Sequence, residues 1–123
     1  MNNSIKIHRP INRRYAFEAD EFATRTKIYE AVIPQSKLNF PGVRIGEKVA
    51  EYVFHILNAP EEILSEVELK IANDFRAKKH YSLSTGDIVV VDGEYFLCQS
   101  FGWKKLENPI YPLVDPIVEK VII

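Results

Sequence analysis

Two runs rich in β-forming residues, Ile88–Val91 and Glu94–Cys98, are separated only by Asp92-Gly93, and this is the feature that most constrains the chain. A two-residue Asp-Gly loop favours a type I′ turn, whose two central positions both need positive φ. The register follows: Val91 opposes Glu94, Val90 opposes Tyr95, Val89 opposes Phe96 and Ile88 opposes Leu97. One face then carries Ile88, Val90, Tyr95 and Leu97, and the other carries Val89, Val91, Glu94 and Phe96. Both faces are largely apolar, so the hairpin is expected to be covered on both sides and to lie centrally in the fold.

Around this hairpin the periodicity changes twice. Ile5 and Ile7 alternate with Lys6 and His8, which reads as a short strand that Pro10 closes or leaves at a sheet edge. Residues 24–33 read as a better strand, ended by Pro34, with 34–42 as a loop. From 46 to 57 the period becomes helical: Ile45, Val49, Val53 and Leu57 recur every four residues, widened by Ala50, Phe54 and Ile56. Asn58-Ala59-Pro60 stops that helix, because the residue before proline is driven from the α region. Pro60 suits the first position of a second helix with Glu61 and Glu62 in its opening turn and Ile63, Val67, Ile71 and Phe75 as its buried line. Gly102, between Phe101 and Trp103, suggests a bend that puts both rings on the same side. Residues 117–123 read as a last strand, at an edge or in a homodimer contact through the C-terminal segment. The fold class expected is α+β: a small, mainly antiparallel sheet with the Asp-Gly hairpin at its centre, packed against two helices.

Composition narrows the function classes. The 123 residues suit a single globular domain, with 46–106 as its core, 1–45 as N-terminal strands and loop, and 107–123 as an extended segment. Sixteen basic against 17 acidic residues give a net charge of −1, so a global attraction to nucleic acid or anionic membrane is not expected. The single cysteine excludes an intrachain disulfide and a multi-cysteine zinc site. The first ten residues lack the apolar stretch of a signal peptide, and no run approaches a membrane span, which leaves a cytoplasmic location as the expectation.

Cys98, His80 and Asp87 are the one candidate nucleophile–base–orienter set. A cysteine inside a strand is more often a small buried hydrophobe, and Leu83-x-x-Gly86-Asp87 has a structural reading as core anchor, positive-φ turn and turn-capping carboxylate. His8, His55 and His80 lack metal-ligand spacing, so neither metal nor cofactor is expected. Arg9, Arg13 and Arg14 read as a solvated start to the chain, with contact to phosphates or an acidic partner as the other reading. The candidate binding rim is Arg76, Lys78, Lys79, His80, Tyr81, Trp103, Lys104 and Lys105. If the second helix end and the segment after the hairpin converge, these side chains suit a phosphate-bearing ligand or an acidic protein partner. The bland readings are complementation of the helix dipole at 76–80 and aromatic capping of the core at Phe101 and Trp103.

Ser82-Leu83-Ser84-Thr85-Gly86-Asp87-Ile88-Val89, then Asp92-Gly93, then Ser100-Phe101-Gly102-Trp103, resembles the YodL-like domain family. The upstream Val53-Phe54-His55-Ile56-Leu57-Asn58-Ala59-Pro60 is similar to the helix–Asn–x–Pro element that precedes the signature there. The resemblance covers about residues 46–106 and departs from the pattern at Thr85, Cys98-Gln99 and Trp103. It implies a small bacterial domain common on phages, plasmids and conjugative elements, and it transfers no catalytic group. The function it implies is a non-enzymatic module that binds a host protein, as an anti-defence factor such as an anti-CRISPR. The alternative is a sponge that sequesters a nucleotide signal in a basic, aromatic pocket.

Overall fold

In the computed structural model, which describes residues 2–11, 21–34, 45–78, 82–107 and 111–114, Asp92 and Gly93 take φ of 48° and 84°. Both values are positive, as a type I′ turn requires, and the strands they join pair in the register read from the sequence. These are β3 (Ile88–Val91) and β4 (Glu94–Cys98). The turn is also tied to a third strand. Asp92 N donates to Ser4 O at 3.0 Å, Ser4 N donates to Asp92 Oδ1 at 2.8 Å, and Asn3 Nδ2 donates to Asp92 Oδ2 at 2.6 Å. Asp92 thus fixes the hairpin and extends its ladder onto the N-terminal strand.

That strand, β1 (Asn2–Pro10), is longer than its alternation suggested and lies inside the sheet. It pairs antiparallel with β3 on one side and with β2 (Arg25–Pro34) on the other. Pro10 is its last residue, where its missing N–H interrupts no further ladder. With β5 (Trp103–Leu106) and β6 (Leu113–Val114) the order is β5-β4-β3-β1-β2-β6. Every pairing is antiparallel except β2 with β6. The fold is therefore α+β, a mostly antiparallel sheet packed against two helices.

The helices cover one face. In α1 (Ile45–Asn58), Val49, Ala50, Val53, Ile56 and Leu57 are buried against Ile5, Ile7, Val89, Val91 and Phe96 of the sheet. Each of the valine, isoleucine and leucine side chains contributes about 1.5–3 kcal/mol on burial. The second helix differs from expectation. Pro60 opens only a 3₁₀ turn (Glu61–Ile63), and α2 begins at Glu66 and runs to Ala77. Its start is set by a capping box, with Glu68 N donating to Ser65 Oγ and Ser65 N donating to Glu68 Oε1 at 2.8 Å. That shift turns the apolar stripe. Ala72 and Phe75 are buried, whereas Ile63 and Val67 face solvent.

The other face carries a second apolar cluster of Ile88, Val90, Leu97 and Leu106, with Tyr95 and Tyr111 against it. Tyr111 is T-shaped to both His8 and Tyr95, and Leu113–Val114 continue alongside β2. The hairpin is thus covered on both sides, as its apolar faces demanded. The loop residues 35–44, the arm at Arg13 and Arg14, and the expected last strand at 117–123 lie outside the described residues.

Candidate functional site

The loop between α2 and β3 is built from residues that looked chemically interesting in the sequence, and their geometry is structural. Leu83 is buried, Gly86 takes φ of 95°, and Asp87 Oδ2 accepts from Ser84 N at 2.9 Å while Asp87 N donates to Ser84 O. Arg9 adds a contact that sequence reasoning missed. Its Nε and Nη2 donate to Asp87 Oδ1 and Oδ2 at 3.0 and 2.8 Å, and Nη2 also donates to Ser82 O. A two-pronged guanidinium–carboxylate pair of this kind is among the stronger polar contacts, and it joins β1 to the loop. Arg25, fully buried, sends its guanidinium to the carbonyls of Gly86 and Ala23 and lies 4.8 Å from the Tyr111 ring centre.

The nucleophile set does not assemble from the residues described. Cys98 is buried, and its thiol is pushed up to about 12 by burial and by the nearby carboxylates of Asp87 and Glu51. A thiol so placed stays protonated and is a poor nucleophile. Asp87 is engaged by Arg9 and Ser84, and His80 lies outside the described residues. Among the described residues, no group of His, Cys, Asp or Glu is arranged to hold a metal ion.

The described members of the basic and aromatic rim are divided rather than brought together. Arg76 pairs with Glu61 at 3.2 Å. Lys78 pairs with Asp74 at 3.6 Å and lies over the Tyr29 ring of β2. Trp103 sits on β5, four strands away from β2, which is roughly 19 Å at the usual strand spacing. Its indole Nε1 donates to Glu51 at 2.6 Å and its ring packs edge-on against Phe54. Lys105, exposed, shares the helix-covered face with Trp103, whereas Lys104 points to the other face and pairs with Glu21 at 2.8 Å. These residues stay apart because α2 ends over β2 and each of these charges except Lys105 finds a local carboxylate. Lys79, His80 and Tyr81 lie outside the described residues.

Phe101 does not join Trp103 on the core. It is 94% exposed at the tip of the β4–β5 turn, where Gly102 has φ of 76° and Gln99 N donates to Gly102 O at 3.0 Å. A closed, hydrogen-bonded turn therefore holds a large aromatic ring in water.

A half-open cavity of about 370 Å³ lies on the helix-free face. Its floor and walls are Lys6, His8, Val90 and Tyr95, with Lys27 from β2, Leu113 and Val114 from β6, and the Asp92-Gly93 turn at one end. His8 Nδ1 and the Tyr111 hydroxyl share a hydrogen bond of 2.6 Å. Burial, then the charges of Lys6, Lys27 and Arg25, lowers the His8 pKa to about 4, so the imidazole is neutral at neutral pH. The sequence signal for this site was only the alternation of Lys6 and His8 with Ile5 and Ile7. No protein family, curated protein or solved structure matches the chain. No described helix is long and apolar enough to cross a membrane.

Proposed function

We propose that this protein is a non-enzymatic binding module that acts by occupying a protein of a bacterial host, in the setting of a phage or other mobile element. The observation that carries the reading is Phe101, a large ring almost wholly in solvent yet held on a closed turn. An exposed aromatic on a rigid support loses little entropy on binding and is the kind of residue that anchors protein interfaces. The spent chemistry of Cys98 and Asp87 is in keeping with binding rather than turnover. The mobile-element setting, and a defence component such as a CRISPR effector as the target, rest on the YodL-like resemblance of residues 46–106. A nucleotide sponge built from Arg76 and Trp103 is the weaker reading, because those side chains belong to separate clusters.

The test is a photo-crosslinking residue placed at position 101, irradiated in lysate of the bacterium that carries the gene. One dominant protein adduct is expected, absent when the same probe replaces the exposed Asn73 of α2. Equal, diffuse labelling from both positions would reject the reading.

A further inference from the structure

The edge of the sheet at β2 is paired for only part of its length among the described residues. β6 pairs with Arg25 and Thr26 alone, although β2 runs on to Pro34. Alternation along the ladder identifies the backbone groups on the remainder. Asp92 N donates to Ser4 O, so Ser4 turns its backbone to β3, and Ile5, the next residue, turns to β2. Ala31, the partner of Ile5, therefore bonds inward, and Glu30 and Val32 on either side of it direct N–H and C=O outward. No described strand stands beside those groups. The rim is apolar as well: Val32 is 57% exposed, Leu113 52% and Val114 42%. An open edge with exposed aliphatic side chains is a pairing hazard that native proteins cover.

β6 brings the chain to this edge and aims it along the unpaired part. Leu113 and Val114 run parallel to β2, and Arg25 N donates to Pro112 O at 2.9 Å. The direction of travel at Val114 is thus towards Glu30 and Val32. Residues 115–123 follow, nine in all, and five of them are aliphatic: Ile117, Val118, Val121, Ile122 and Ile123. At about 3.3 Å per residue they reach about 30 Å, enough to match the eight residues from Lys27 to Pro34. Continued in register, Asp115 falls beside Lys27, an opposite charge, and Pro116 falls beside Ile28. Pro116 has no N–H to give, and Ile28 is where β2 is already irregular, at the register shift opposite Ile7/His8.

We propose that residues 117–123 extend β6 as a parallel strand along β2, pairing with the outward backbone groups of Glu30 and Val32 and laying aliphatic side chains over Val32. The tether at Val114 decides between this segment and other occupants. A short tether holds the segment at an effective concentration in the millimolar range, which a second copy or another protein does not match at ordinary dilution. The segment then forms the margin of the sheet, where Glu119 and Lys120 supply the charges that discourage further pairing. This docking is independent of the Phe101 contact.

Amide hydrogen exchange resolved by NMR tests the assignment, with the full chain compared with a chain ending at Val114. The amides of Glu30 and Val32 are expected to exchange at least tenfold more slowly in the full chain, and Phe101→Ala is expected to leave that protection unchanged. The Val90 amide, opposite Lys6 in the β1–β3 ladder, reports whether each chain is folded. Where the shortened chain has lost Val90 protection, the full chain carrying Ile117→Lys and Val121→Lys takes its place, with the same acceleration expected at Glu30 and Val32. The native mass of the chain produced alone is expected to be that of one copy, 14.2 kDa. Exchange at Glu30 and Val32 that is indifferent to the segment overturns the docking. Protection that needs the segment but is found only at twice the mass gives the edge to a second copy and overturns it equally.

Discussion

Asn58, the last residue of α1, clasps Leu83 through both of its backbone groups: Asn58 Nδ2 donates to Leu83 O at 2.9 Å, and Leu83 N donates to Asn58 Oδ1 at 2.8 Å. The amide imitates a strand neighbour and gives the loop before β3 partners it has no ladder to supply. It also joins the two stretches on which the YodL-like resemblance rests, the helix–Asn–x–Pro element and the segment that begins at Ser82.

Asn58→Ala is therefore expected to cost about 1–3 kcal/mol, since it strips both partners from a buried residue. Asn58→Asp should cost no less, because a carboxylate cannot donate to Leu83 O and repels it. Urea denaturation midpoints measure both, and an Asp variant as stable as the parent would show that the donor half of the clasp is idle.

Arg9 and Asp87 form the other tie between the loop and the sheet. The Asp87 side chain is 1% exposed and that of Arg9 is 23% exposed, so the two truncations are unequal. Arg9→Ala leaves a buried carboxylate and should destabilise by about 3 kcal/mol, within the range for a broken buried pair. Asp87→Ala loses the Ser84 bond as well and should cost at least as much. A double-mutant cycle is expected to give a coupling above about 1 kcal/mol. Additive losses would show that the two residues act separately.

Gly46 sets the approach of α1 to β4. A methyl group there would meet Phe96 Cζ at 2.7 Å and Glu94 Oε2 at 2.6 Å. The carboxylate swings away at little cost, but the Phe96 ring is buried in the core beneath α1 and must displace its neighbours to give way. Helix propensity alone would make Gly46→Ala stabilising by about 1 kcal/mol. Overpacking against Phe96 reverses the sign, and a loss of about 1–3 kcal/mol is expected. A raised thermal midpoint would refute it.

The buried His8 makes stability depend on pH. Its folded pKa is lowered to about 4 from 6.5, so between these values the unfolded chain holds a proton that the folded chain refuses. The stability this group contributes is whole above 6.5 and is lost as pH falls towards 4. The loss attributable to His8 should be on the order of 1–3 kcal/mol. His8→Gln keeps a hydrogen-bond partner for Tyr111 and removes the titration, so its midpoint should fall less steeply than the parent's across that window. Parallel pH profiles would show that the imidazole does not titrate as placed.

The parts legible in the sequence are those whose cause is local. Asp92-Gly93 dictates the turn conformation from two residues, and the strand register follows without further information. The α1 stripe was equally plain, because Val49, Val53 and Leu57 recur at helical spacing. The start of α2 was misplaced where two local signals competed. Pro60 gave only a 3₁₀ turn, and the Ser65–Glu68 capping box won because it satisfies two orphan backbone groups at once. The cavity was the least legible part. Lys6 and His8 stand nearly ninety positions from Tyr95, and only the central place of β1, between β3 and β2, brings them to one wall. Of the basic and aromatic residues near 76–81 and 103–105, the described ones lie apart, since residues adjacent in sequence alternate between the faces of a strand or end on different strands.

The central claim is that this scaffold works by holding a partner rather than by transforming a substrate. Native mass measurement of the protein purified under gentle conditions from the bacterium that carries it is the most direct test. The account predicts a mass greater than the 14.2 kDa chain by that of one whole protein, with that increment lost in Phe101→Ala. A covalent adduct carried on Cys98, or a protein increment indifferent to Phe101→Ala, would contradict it.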